Sequence, residues 1–240
     1  MTLLLSVFLA ASAQAKPLPV STTAYALPLL PAPTQPLTVP LVIEKFEAFD
    51  AGLKSLGCDY TQAVRWDETG MSQTVSGSLE FKKPDLLRLE HRLPEPQTMV
   101  SDGSWLWIHR QSTNQVIKTR LEDWKKSEPL AQGLLDFGKY AGLLRTYDVT
   151  LSSGSPAADG HSDFALILRP KAKPGEFALI LKLTTRTFFP AETELRTGSV
   201  SIKSSFKNIR YNPIQADSTF QFVPPKGADV FDNVRPAPKR

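Results

Sequence analysis

Apolar and polar residues alternate along much of the chain, which is the pattern of β-strands with one buried face. The segments 75–82 (VSGSLEFK) and 87–90 (LRLE) both place an apolar residue or glycine at every second position. Between them lies the turn Lys82–Asp85 (KKPD), where Pro84 interrupts strand pairing. The pattern therefore predicts a β-hairpin with a tight, basic turn.

Further segments of this kind predict a single antiparallel sheet of about ten to eleven strands. The apolar runs 164–168 and 177–183 are predicted to be neighbouring antiparallel strands near its centre. Asp102-Gly103 predicts a two-residue type I′ turn, in which both central residues need a positive φ. The parity of the last strand changes near Lys207-Asn208, which predicts a β-bulge there.

Two segments instead repeat apolar residues at helical spacing, which predicts amphipathic helices. The first stripe consists of Val42, Phe46, Phe49, Leu53 and Leu56, and Gly57 is predicted to end that helix. The second consists of Leu130, Leu134, Phe137, Ala141 and Leu144, and three glycines interrupt it. Each glycine costs about 1 kcal/mol relative to alanine, so this is either a loosely held, movable helix or a mediocre core helix. Strands and helices together predict an α+β fold in a single domain.

The first fifteen residues, MTLLLSVFLAASAQA, form a short apolar run that ends in small residues. They predict a signal peptide over residues 1–15 and export from the cytoplasm, with cleavage after Ala15 or, as an alternative, after Ala13. The run is shorter than the roughly 20 apolar residues that span a bilayer. Residues 16–40 are rich in proline and predict a disordered linker. The folded domain is predicted over 41–232, followed by a basic tail at 233–240.

Composition excludes several classes of protein. The 240 residues are 41% hydrophobic and 22% charged, with a net charge of +4, and no basic stripe or module predicts binding to nucleic acid. Cys58 is the only cysteine and is predicted to be packed in the core. His91, His109 and His161 are scattered, and there is no nucleophile elbow, phosphate loop or dinucleotide fingerprint. The sequence therefore predicts no metal, no cofactor and no catalysis.

The sequence contains more apolar faces on strands and helices than groups that could carry out catalysis. A curved sheet that is covered by loosely held helices can enclose an apolar cavity for a hydrophobic ligand. A fully packed core is the alternative, and periodicity does not distinguish the two.

Five segments, in order along the chain, resemble the LolA family of periplasmic lipoprotein carriers and together span residues 41 to 232. They are DYTQ at 59–62, GSLEFKKPDLLRLE at 77–90, TMVSDGSWLWIHRQSTNQV at 98–116, EPLAQGLLDFG at 128–138 and FQFVPPKGADVFD at 220–232. The resemblance implies an unclosed β-barrel covered by helices, with an apolar cavity that takes the acyl chains of a lipoprotein.

The resemblance also implies a function without cofactor or covalent chemistry. A monomeric carrier in the periplasm would accept acylated lipoproteins from an inner-membrane ABC transporter and pass them to an outer-membrane receptor. The alternative is an envelope sensor or regulator of the same fold that binds a lipid or lipoprotein.

The resemblance and the apolar pattern together predict the residues of the acyl cavity: Phe46, Phe49, Tyr60, Val64, Leu79, Phe81, Leu87, Leu89, Leu130, Leu134 and Phe137. Lys83 matches the family's lid latch, an arginine that bonds backbone carbonyls on the lid side in the closed, empty state. Lysine is a point charge without the planar fork of arginine. Lys83 is therefore expected to hold the lid more weakly, or to share the task with Lys82 or Arg88, or else the protein is a divergent carrier with different cargo. A solvated turn lysine is the alternative.

Overall fold

The alternating segments form one twelve-stranded sheet in the computed structural model, which describes residues 36–127, 144, 146–156 and 160–232. The first six strands are β1 (Ser55–Trp66), β2 (Ser72–Lys82), β3 (Leu86–Leu93), β4 (Gln97–Asp102), β5 (Trp105–Arg110) and β6 (Gln115–Arg120). The others are β7 (Tyr147–Pro156), β8 (Ser162–Pro170), β9 (Phe177–Thr184), β10 (Glu192–Thr197), β11 (Val200–Tyr211) and β12 (Asp229–Asp232).

The strand order is β12-β6-β5-β4-β3-β2-β1-β11-β10-β9-β8-β7. Two antiparallel meanders, β1–β6 and β7–β11, are joined through the pairing of β1 with β11. The outermost strands β12 and β7 are not paired with each other, so the curved sheet is unclosed. The predicted α+β class and the unclosed antiparallel barrel are confirmed. The strand β12 was not predicted, and it pairs with β6 in parallel.

The local predictions were mostly confirmed. The hairpin β2–β3 closes with Lys82 opposite Leu86. The bulge lies at Asn208, which has a φ of 51° and interrupts the register between β1 and β11. The runs in β8 and β9 do pair antiparallel, but they lie beside the β7 edge and not at the centre of the sheet.

The turn between β4 and β5 is not of type I′, because Gly103 has a positive φ of 91° and Asp102 does not. The Asp102 carboxylate instead accepts hydrogen bonds from the backbone N–H of Ser104 and Trp105, at 2.9 and 2.8 Å.

The helix α1 (Val39–Gly52) covers one face of the sheet and reaches the edge strand β7. Thr38 is its N-cap, and Pro40 lies in its first turn, so the predicted domain start at residue 41 falls inside the helix. The prediction that α1 continues to Gly57 was wrong, since Gly57 is a buried residue of β1.

The side chain of Asn212 explains why α1 stops early. Its Oδ1 accepts from the backbone N–H of Lys54 at 2.6 Å, and its Nδ2 donates to the carbonyl of Gly52 at 3.1 Å. These bonds fix the last turn of α1 to the start of β1.

The short helix α2 (Leu121–Ser127) follows β6, packs on β5 and β6, and was not predicted. The predicted second helix lies outside the described residues apart from Leu144, which is buried. No helix within the described ranges is long and apolar enough to cross a membrane.

The sheet has an apolar concave face, which carries α1, and an outer face. On the concave face the largest cluster of buried side chains joins α1 to strands β1–β3 and β8–β11. A smaller cluster joins Leu121 of α2 to Leu106 and Ile108 of β5. On the outer face a 3₁₀ turn at Asp217–Phe220 lies against β3 and β4, and the Phe222 ring lies 6.3 Å from that of Trp107. The β4–β5 hairpin is therefore covered on both faces.

Gly77 in β2 lies in close contact with β3 and with the side chain of Tyr60. A Cβ atom at Gly77 would lie 1.9 Å from the carbonyl oxygen of Glu90 and 2.6 Å from the hydroxyl of Tyr60. The backbone oxygen cannot yield without breaking the pairing of β2 with β3.

We therefore expect Gly77→Ala to destabilise the protein by about 1–3 kcal/mol, the usual cost of overpacking. Gly198→Ala is the matched control, because a Cβ there would meet no atom within 4 Å. Urea unfolding followed by circular dichroism measures both variants. Equal stability of Gly77→Ala and wild type would contradict the close approach.

Candidate functional site

The structure brings the predicted cavity residues together on the concave face. Those that are buried in its main cluster are Phe46, Tyr60, Val64, Leu79, Phe81 and Leu87, and the half-buried Phe49 and Leu89 pack against it. Leu130, Leu134 and Phe137 lie outside the described residues. The described members come from α1 and from three adjacent strands, and the main cluster joins them.

The opposite side of this cluster consists of β8 and β9, which contain none of the predicted cavity residues. β8 and β9 contribute one apolar side chain at every second position, Phe164, Leu166, Leu168, Leu179, Leu181 and Leu183. The apolar runs in the sequence carried this signal. Their place opposite β1–β3 follows from the pairing of β1 with β11, which links residues about 150 positions apart.

The loop between β9 and β10 also enters the cluster, and no periodicity pointed to it. Phe188 and Phe189 are both buried there, and Phe188 has a φ of 52°, which is rare for a bulky residue. The Phe188 ring lies 5.7 Å from Phe164, and the Phe189 ring lies 5.4 Å from Phe49 of α1. The loop thus contacts both the sheet and the covering helix.

The turn Lys82–Asp85 connects three elements that cover the sheet. The Lys82 ammonium lies 2.7 Å from Asp217 in the 3₁₀ turn on the outer face. The Lys83 ammonium donates to the backbone carbonyl of Asp50 in α1 at 2.5 Å. The Asp85 carboxylate lies 2.6 Å from the Lys125 ammonium in α2.

Of the three predicted candidates for a lid contact, Lys83 reaches α1. Lys82 is directed to the outer face, and Arg88 is bound there to Glu90 and to the carbonyl of Thr219. The Asp50 carbonyl lies in the last turn of α1, where it also accepts from the backbone N–H of Leu53 at 3.3 Å and where the helix dipole is negative. A cation is therefore well placed at this end. Because Lys83 is half-buried, the bond contributes about 1.5 kcal/mol, the lower end for a charged donor.

Three polar groups lie among the apolar side chains of the concave face. Burial raises the pKa of the Cys58 thiol to about 12, so it stays protonated and is a poor nucleophile. Burial also raises the pKa of Tyr60 and lowers that of His91, so both are neutral at neutral pH. The Tyr60 hydroxyl is buried without a hydrogen-bond partner in the described part of the chain, at a cost of about 1–3 kcal/mol.

Tyr211 is the contrasting case. Its ring packs edge-on against Phe49 and Phe189, at 5.3 and 5.4 Å, and its hydroxyl forms a hydrogen bond with Thr187. Burial raises its pKa to about 12, while the bond to Thr187 opposes that shift. Tyr211 is therefore satisfied within the protein, and Tyr60 is not.

The concave face is largely apolar, and the three polar groups described above are neutral. In the ranges that the structure describes, no three His, Cys, Asp or Glu side chains come close enough to hold a metal ion. The face offers apolar area, neutral polar groups and a helix that one ammonium group holds at its end.

Comparison with known proteins agrees with this chemistry. The chain matches the family model described as "Outer membrane lipoprotein carrier protein LolA" over residues 51–223. An outer-membrane lipoprotein carrier protein of Chromobacterium violaceum is 29% identical over 220 residues, which cover 90% of this chain and 98% of that protein. The carrier protein of Methylibium petroleiphilum is 28% identical over 193 residues, covering 78% of this chain and 88% of its own.

Among solved structures, the LolA superfamily protein NE2245 from Nitrosomonas europaea aligns with a TM-score of 0.42 at 13% identity, covering 78% of this chain and 99% of that chain. The family model by itself extends over more than half of the 240 residues. The chain therefore belongs to the LolA family of outer membrane lipoprotein carrier proteins.

Proposed function

We propose that the protein is a periplasmic carrier that binds the acyl chains of lipoproteins between the concave face and α1. It moves them from the inner to the outer membrane and does no covalent chemistry. The observation that carries the proposal is the apolar concave face under a helix whose end is held by the bond from Lys83 to the Asp50 carbonyl. A carrier must shield acyl chains from water and still open, and this arrangement serves both needs.

The bond that closes α1 is weak compared with the energy gained when an acyl chain is buried. Burial of one methylene contributes about 0.8 kcal/mol, so two methylenes offset the bond of about 1.5 kcal/mol from Lys83. A chain of about a dozen methylenes would gain roughly 10 kcal/mol, of which part replaces the burial of Phe46 and Phe49. Loading is therefore favourable without being irreversible.

The anchors of α1 lie at its C-terminal end. Asn212 bonds Gly52, Lys83 bonds Asp50, and the chain continues directly into β1. The N-terminal half, with Val42 and Phe46, is held by apolar contacts. We propose that the helix opens about its C-terminal end and that Lys83 opposes this movement.

The remaining parts of the proposal follow the family. A signal peptide at residues 1–15 would direct the chain to the periplasm, where it would work as a monomer. An inner-membrane ABC transporter would load it, and an outer-membrane receptor would unload it.

We expect the protein, purified from its host, to carry acylated cargo. Native mass spectrometry of the intact protein detects such cargo, and the empty protein should bind a synthetic acylated peptide but not the same peptide without acyl chains. A protein that is reproducibly empty and binds neither peptide would refute the carrier proposal.

We expect Lys83→Leu to bind the acylated peptide about tenfold more tightly and to release it more slowly, because about 1.5 kcal/mol of closing energy is lost. The melting temperature should fall by no more than about 5 °C. Lys82→Leu is the matched control, since it removes a neighbouring lysine that pairs on the outer face. Fluorescence titration measures the affinity of each variant for the acylated peptide. Equal affinities of the two variants and wild type would show that Lys83 has no role in closing and is only a turn residue.

The ion pair between Lys125 and Asp85 leads to a similar prediction for α2. Both side chains are mostly shielded from solvent, with 21% and 29% exposed. Lys125→Met should therefore speed uptake of the acylated peptide, while Lys126→Met, at an exposed position of the same helix, should not. Stopped-flow fluorescence measures the rates, and identical rates for the two variants would exclude α2 from loading.

A further inference from the structure

Tyr60 and His91 lie in one row across three strands of the concave face. Tyr60 of β1 is opposite Gly77 of β2, and Gly77 is opposite His91 of β3. Because Gly77 has no side chain, the Tyr60 ring extends across β2 and meets the His91 ring edge-on, with 5.8 Å between the centroids and 81° between the planes. The hydroxyl lies directly over the Gly77 backbone, 2.6 Å from where a Cβ would be.

This hydroxyl is a buried hydrogen-bond donor that has no partner among the described residues. Tyr60 is 7% exposed, and no described residue accepts or donates a hydrogen bond at its oxygen. A phenylalanine would fill the same space without leaving a buried donor unpaired. The packing around Gly77 thus holds an unsatisfied O–H donor at one fixed point of an apolar surface.

The surroundings indicate the kind of group that this donor would meet. The next rows along the strands, toward the turn Lys82–Asp85, are apolar: Cys58, Leu79 and Leu89, and then Leu56, Phe81 and Leu87. The charged neighbours in sequence, Asp59 and Arg92, pair with each other on the outer face. The donor therefore lies at the border of an apolar strip, and its neighbours Cys58 and His91 on the concave face are neutral, which favours an uncharged acceptor over a phosphate or carboxylate.

We propose that the Tyr60 hydroxyl donates a hydrogen bond to a carbonyl oxygen of the cargo, where an acyl chain is joined through an ester or amide. The alkyl part of the chain lies along the apolar rows of β1–β3. His91 is a positioning residue, whose ring keeps that of Tyr60 across Gly77. This inference rests on the proposed carrier function and deepens it, because it makes the carrier select acyl chains over plain alkyl chains.

The test compares two probes that differ in the carbonyl. One is a cysteinyl peptide with two ester-linked acyl chains, and the other is the same peptide with two ether-linked alkyl chains of equal length. We expect wild type to bind the ester probe about 3- to 10-fold more tightly, the range for one hydrogen bond. Tyr60→Phe should bind both probes with the affinity that wild type has for the ether.

Tyr211→Phe is the matched control, because it removes a hydroxyl that is already bonded to Thr187. It should keep the preference for the ester and lose thermal stability. Tyr60→Phe should lose the preference and melt at the wild-type temperature or above, since its hydroxyl is unpaired in the empty protein.

Each outcome decides the matter. Equal binding of ester and ether by wild type, an unchanged preference in Tyr60→Phe, or a marked loss of stability in that variant would overturn the role of Tyr60 and leave the carrier function standing. Failure of wild type to bind either probe would overturn the carrier function and this inference with it.

Discussion

An unclosed sheet with an apolar concave face must be covered by segments that are not strands, and the rest of the structure depends on this constraint. In a closed barrel the ring of paired strands encloses the interior without other segments. Here the outermost strands β12 and β7 are not paired with each other. The cover comes from α1 and from the loop that carries Phe188 and Phe189. Both cross the face without joining the ladder of backbone hydrogen bonds, so side-chain contacts hold most of their surface in place.

The two faces of the sheet are stabilised in different ways. On the outer face, Glu80 is bonded by Arg210 and Gln215, and Gln215 also donates to the carbonyl of Leu56. Gly57 lets these side chains approach, because a Cβ there would lie 2.5 Å from the Arg210 guanidinium. Polar networks of this kind favour one arrangement of their members. The concave face relies on non-directional apolar contacts, which a lipid chain can replace.

The turn Lys82–Asp85 contacts both the polar outer face and the helix that covers the apolar concave face. Its side chains bind the 3₁₀ turn on the outer face, α1 on the concave face and α2 beside β5 and β6. A lysine suits the contact with α1, because one carbonyl at a helix end needs a single cation and not a planar fork. The departure from the family's arginine is thus compatible with a contact to the covering helix.

The sequence by itself determined the strand pattern, the hairpin at Lys82–Asp85, the bulge at Asn208 and the apolar stripe of α1. All of these depend on neighbours along the chain, through alternation, turn chemistry or helical spacing. The predicted cavity residues on α1 and β1–β3 share the concave face, because each lies on an apolar face that its own element defines.

The tertiary structure decided what depends on residues distant in sequence. α1 ends at Gly52 because Asn212, which is distant in sequence but follows the neighbouring strand β11, bonds that carbonyl, although the apolar spacing continues to Leu56. β12 pairs with β6 because the C-terminal segment returns across the outer face, and a four-residue strand carries no periodicity of its own. Lys82 and Lys83 are adjacent and carry the same charge, but their side chains lie on opposite sides of the sheet. The sequence does not distinguish them, and the fold shows that Lys83 contacts the helix.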